Sequence, residues 1–243
     1  MPAGTGGSAG GPRRPPLDLS IYLVTDTGQC GALGVPETVR RAVAAGVTLV
    51  QLRDPDCSDA EFVALGRSVR DALAGSGVPL IVNDRVHLVA AIGAQGAHVG
   101  QGDLPVRRAR ELLGATALLG LSVNTTAELA AAADVDPDRT VIDYLGLGIY
   151  RPTATKPDHA PAAGPAHIAD LAAGSPWPTC AIGGVKASDA TPLRAAGVDG
   201  LAVVSAICGR PDIEAATREL VAAWAAAGGL GRPAAHDVRK ESP

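Results

Sequence analysis

The chain has 243 residues, a formal net charge of −4 and 47% apolar residues, yet only 2% aromatic ones. The negative balance excludes a broad electrostatic grip on nucleic acid, and so few aromatic rings leave little for stacking on bases. No apolar run reaches the roughly 18 residues that span a bilayer, so no membrane partner is expected.

Cys30, Cys57, Cys180 and Cys208 are scattered without CxxC spacing, which argues against a disulfide framework or a zinc site and for free thiols in a cytoplasmic protein. Residues 1–17 and 229–243 are rich in Gly and Pro or in polar residues and read as flexible tails around one domain, 18–228. Composition leaves a homo-oligomer open.

In chain order, the first strand is expected at "IYLVTD" (21–26). A helix follows over "PETVRRAVAAG", started by Pro36 and stopped by Gly46. The strand "TLVQLRD" (48–54) leads into "SDAEFVALGRSVRDALAG", where Ser58 and Glu61 have capping-box spacing. Further strands are expected at "PLIVND" (79–84), "AHVG" (97–100), "LLGLSV" (118–123), "DYLGLGI" (143–149), "TCAIGGV" (179–185) and "GLAVVSAI" (200–207). Helical patterns include "TTAELAAAA", "ASDATPLRAAG" and "DIEAATRELVAAWAAAG". The strands are short and continuously apolar, as in a sheet covered on both faces. Eight strand–helix units fit a closed (β/α)8 TIM barrel, with an open doubly wound sheet as the alternative. "TDTGQCG", after the first strand, lacks the GxGxxG of a dinucleotide binder.

A barrel collects its active site at the C-terminal ends of its strands, and here those ends carry the polar residues. Asp84 and Asp103 end neighbouring units and suit a divalent cation such as Mg2+, which takes one or two protein carboxylates. Asp103 is also spaced to cap the helix after it. Arg53 at a strand end needs an anionic partner, either a phosphate or, in a simple ion pair, Asp84. Lys156 adds a second cation, and Gly183 and Gly184 let the main chain approach a phosphate closely. The rim therefore offers two anion sites, one metal-assisted and one built from amides. His87 is expected to pack on a helix, and His98 to lie in or just behind the core.

The motifs "YLVTD", "VQLRD", "IVNDR", "GAHVGQGDLP", "GLSVNT", "PTATKPD", "AIGGV" and "GVDGLAVVSAI", in this order, resemble the thiamine-phosphate synthase family over about three quarters of the chain. The resemblance implies a Mg2+-dependent transferase that couples a pyrimidine diphosphate to a thiazole phosphate, both small-molecule partners, with release of pyrophosphate. It implies Asp84 and Asp103 as metal ligands, and Gln51, Arg53, Asn83, Ser122 and Lys156 at the pyrimidine diphosphate. Thr153 and Thr155 would meet the thiazole phosphate, with Gly184, Val204 and Ser205 forming its nest. The stretches 51–55 and 153–156 as wholes belong to substrate binding, which adds Leu52, Asp54, Pro55 and Ala154. Arg53, Ser122 and Lys156 are the implied catalytic groups.

The sequence departs from the family pattern at Pro55, where a lysine is usual, and at Ile149 and Arg151 beside the sixth motif. Arg151 is expected to replace the charge missing at position 55. These departures keep open a thiazole tautomerase-like paralogue without coupling activity, and, more distantly, a non-catalytic sensor of phosphate ligands.

Overall fold

Each of the eight apolar runs forms a strand, and every neighbouring pair is parallel: β1 (Ile21–Val24), β2 (Leu49–Leu52), β3 (Leu80–Asn83), β4 (Gly96–Val99), β5 (Leu118–Val123), β6 (Tyr144–Leu147), β7 (Thr179–Ala181) and β8 (Gly200–Val203). The structure, a computed structural model, describes residues 14–152 and 164–228. Ile21 pairs with Leu201 and Leu23 with Val203, so β1 closes on β8 and the open-sheet alternative is excluded. Around the barrel, among the described residues, run α1 (Thr27–Cys30), α2 (Val35–Ala44), α3 (Asp59–Ala72), α4 (Val89–Ile92), α5 (Val106–Leu113), α6 (Thr126–Val135), α7 (Gly164–Gly174), α8 (Ala190–Ala195) and α9 (Ile213–Ala226).

The helix starts follow their side chains. Ser58 accepts from the Glu61 amide while the Glu61 carboxylate accepts from the Ser58 amide at 2.9 Å, completing the capping box of α3. Thr125 and Asp212 cap α6 and α9 more simply, each side chain accepting from the amide three residues on, Glu128 and Ala215. Asp26, expected in the first strand, instead accepts from the Gln29 amide at 2.8 Å and caps α1, so β1 stops at Val24. The last strand also ends early. The Val204 carbonyl accepts from the amides of Ile207 and Cys208, turning the chain after Val203.

Strand alternation sorts the side chains into two cores. Ile21, Leu23, Leu52 and Val82 pack outward against Phe62 and Trp224 of the helical layer. Tyr22, Leu49, Ile81, Leu118, Tyr144 and Cys180 fill the barrel interior. Apolar contact on both faces explains why the strands read as unbroken hydrophobic runs. Glycines make room inside: a Cβ on Gly120 would lie 2.3 Å from both His98 Nδ1 and Tyr144 Cζ.

At the N-terminal end of the barrel, the fully buried Asp143 carboxylate receives Arg14, Arg110 (2.7 Å) and the Leu119 amide (2.7 Å). Arg14 also donates to the carbonyls of Ala115 and Thr140. The expected tail 1–17 is therefore anchored from Arg14 onward, while the rest of it and the tail 229–243 lie outside the described residues.

Candidate active site

A cavity of about 320 Å³ opens at the C-terminal ends of the strands. Gln51, Arg53, Asn83, Ser122, Val204 and Ser205 line it, as does Gly184. These residues come from β2, β3, β5 and the turns after β7 and β8, so strand closure assembles what the sequence holds far apart. Thr153, Ala154, Thr155 and Lys156 lie outside the described residues.

Arg53 follows β2, its amide held by the Thr25 hydroxyl at 3.1 Å. Its guanidinium forms no ion pair among the described residues, so the Arg53–Asp84 bridge is absent. Arg53 is thus a half-buried cation on the cavity wall, of the planar kind that suits a phosphate or carboxylate.

Asp84 and Asp103 stand at the same end of the barrel, after adjacent β3 and β4. Neither caps a helix. Asp84 sits in the left-handed region at φ 57°, with its carboxylate accepting from the Asn83 amide nitrogen at 2.5 Å and its own amide donating to the His98 carbonyl at 2.9 Å. Asp103 closes its own turn by accepting from the Gly100 amide at 2.8 Å, while α5 starts without a side-chain cap. Both carboxylates are exposed on the rim rather than on the cavity wall. Two hard oxygen donors in the loops after adjacent strands are of the chemistry that could hold Mg2+, which fills its other positions with water and phosphate oxygens.

Gly183 and Gly184 have φ of 101° and 62°, and a Cβ on Gly183 would come within 2.6 Å of Ile149. The glycines thus hold the β7 turn against residues 149–151. The Gly184 and Ser205 amides donate to no acceptor among the described residues, and both residues line the cavity. Paired turns after the seventh and eighth strands commonly form a phosphate nest in such barrels.

Three residues of the 51–55 stretch take other duties. Leu52 is fully buried and faces the helical layer, so its side chain cannot reach the cavity. Asp54 accepts from the Thr27 hydroxyl at 2.7 Å, and Pro55 is exposed. Arg85 braces this loop, donating to the carbonyls of Asp54, Pro55 and Cys57 and pairing with Asp59. Arg151 does not replace the charge missing at position 55, because its guanidinium grips both carboxylate oxygens of buried Asp189. His87 is exposed and bonds Asp59 at 2.9 Å instead of packing on a helix.

The interior holds a polar chain that the sequence reading missed. Gln51 Nε2 donates to Tyr22 Oη at 2.6 Å, and Tyr22 Oη lies 2.8 Å from Tyr144 Oη. His98 Nδ1 is 3.2 Å from Tyr144 Oη and its Nε2 is 2.9 Å from Ser122 Oγ. Burial raises the pKa of Tyr22 and of Tyr144, so both phenols keep their protons. The signal that could have exposed this chain is the pair of glycines at 120 and 146, both inward-facing beside His98.

A closed (β/α)8 barrel with one polar mouth at its strand ends is the architecture of a barrel enzyme, here equipped for anionic small molecules. Residues 21–207 match the family model described as thiamine monophosphate synthase. The thiamine-phosphate synthase of Azorhizobium caulinodans is 45% identical over 205 residues, covering 84% of this chain and 94% of that protein. The thiamine-phosphate synthase of Laribacter hongkongensis is also 45% identical, over 207 residues covering 85% and 95% of the two chains. The solved thiamine phosphate pyrophosphorylase of Pyrococcus furiosus superposes with a TM-score of 0.75 at 30% identity, covering 88% of this chain and 98% of its own. The chain belongs to the thiamine monophosphate synthase family, whose members are transferases.

Proposed function

We propose that the chain joins 4-amino-2-methyl-5-hydroxymethylpyrimidine diphosphate to a thiazole phosphate, giving thiamine phosphate and pyrophosphate. The observation that carries this reading is Arg53, a cation on the cavity wall with no carboxylate partner among the described residues. An isomerase of a thiazole carrying one phosphate has no use for a second anion site, so this cation disfavours the tautomerase-like alternative.

In this reading the guanidinium of Arg53 and the amide of Asn83 hold the pyrophosphate, and Ser122 donates to it. Lys156 belongs on the same group, and Thr153 and Thr155 on the thiazole phosphate. The Gly184 and Ser205 amides, beside Val204, cradle that second phosphate. Asp84 and Asp103 would hold Mg2+, which neutralises charge on the leaving pyrophosphate when bound. The carbon–oxygen bond to pyrophosphate breaks first, and the thiazole nitrogen then bonds to the pyrimidine methylene carbon. The donors lining the cavity serve this step because charge builds on the departing oxygen, where fixed dipoles act most strongly.

The test is to supply the purified chain with both substrates and Mg2+ and to measure thiamine phosphate and pyrophosphate together. Equal amounts of both products are expected. Absence of both at saturating substrate would overturn the assignment.

A further inference from the structure

Beyond the residues that meet ligands, the direction of the interior hydrogen-bond chain has a consequence. Each phenol has one proton to give. Tyr22 accepts from Gln51 Nε2, so its own proton goes to Tyr144, 2.8 Å away. Tyr144 has then accepted once and passes its proton to His98 Nδ1. A neutral imidazole accepting at Nδ1 carries its proton on Nε2 and donates it to Ser122 Oγ at 2.9 Å. Ser122 is thereby left with a hydroxyl proton to direct into the cavity that it lines.

We propose that Tyr144, with Tyr22 behind it, is a positioning residue that locks His98 in the Nε2–H tautomer and so makes Ser122 a one-way donor toward substrate. Reversing the chain would turn a Ser122 lone pair toward an anionic leaving group. Tyr144 is fully buried and does not line the cavity, so its phenol acts through His98 and Ser122. The glycine at 120 is what allows the ring to reach His98. The proposal rests on the synthase reading for Ser122's target, but its central claim concerns the free protein.

The experiment is nitrogen-15 NMR of histidine-labelled, ligand-free protein, well above the ordinary imidazole pKa of about 6.5, with His98→Gln used to assign the signals. The Nε2–H pattern is expected in the native chain, and a shift toward Nδ1–H in Tyr144→Phe. In that variant kcat should fall about tenfold, the effect of one neutral hydrogen bond, with both KM values within about twofold. Tyr22→Phe should shift the tautomer in the same direction, which covers a Tyr144 variant that does not fold. An Nδ1–H pattern in the native chain overturns the proposal, as does Tyr144→Phe with native tautomer and native kcat. Should the native chain make no thiamine phosphate, the synthase reading falls, while the tautomer signal still decides this proposal.

Discussion

Replacing Gly120 with alanine tests the packing that holds the interior chain. The added Cβ would sit 2.3 Å from His98 Nδ1, 2.3 Å from Tyr144 Cζ and 2.5 Å from Tyr144 Oη. Comfortable carbon contacts are about 3.5–4.0 Å, so the rings must separate by more than an ångström. Tyr144 is fully buried in the barrel interior, so its ring can yield only by displacing other core side chains. Overpacking costs about 1–3 kcal/mol, and parting Tyr144 from His98 strands buried polar atoms for about 1–3 kcal/mol more. The sum, about 2–6 kcal/mol, corresponds to a drop in Tm of roughly 5–20 °C for a chain of this size. Calorimetry against Gly102→Ala, whose Cβ meets nothing within 4 Å, isolates the effect. A Gly120→Ala protein melting with the native chain would refute the account of the barrel interior.

Arg53→Lys should lower kcat/KM by about 10–100-fold while leaving Tm unchanged, because a point charge cannot reproduce a planar two-pronged grip on pyrophosphate; steady-state kinetics with full native activity would reduce the contact to simple charge. Asp84→Asn is a cleaner metal test than alanine, since asparagine tolerates the φ of 57° at this position. Turnover at saturating Mg2+ should fall by about two orders of magnitude, and a native Mg2+ titration curve would remove Asp84 from the ligand set. Asp143→Asn should cost about 3–5 kcal/mol in urea unfolding, because Arg14 and Arg110 lose the buried carboxylate between them. A loss below about 1 kcal/mol would show that water screens the cluster.

All eight strands were legible in the sequence because burial on two faces leaves an apolar signature that needs no knowledge of neighbours. Strand ends were read too long wherever a side chain or turn took over the backbone, as Asp26 does for α1 and the Val204 carbonyl does after β8. That Arg53, Gln51, Asn83, Ser122 and Gly184 share one cavity was legible through their place at strand tips. Pairings between distant residues were not legible. Arg151 looked like a spare cation because Asp189 lies 38 residues away, and Asp103 resembled a cap because the Gly100 amide gives no sequence signal. Tyr22 and Tyr144, 122 residues apart, meet only once the sheet closes.

The filled interior beneath the mouth has a kinetic corollary. Leu19, Leu49, Ile81 and Leu118 seal the lower barrel, and Arg14 is clamped over its base. With the lower barrel filled among the described residues, molecules that use this cavity come and go on the strand-end side.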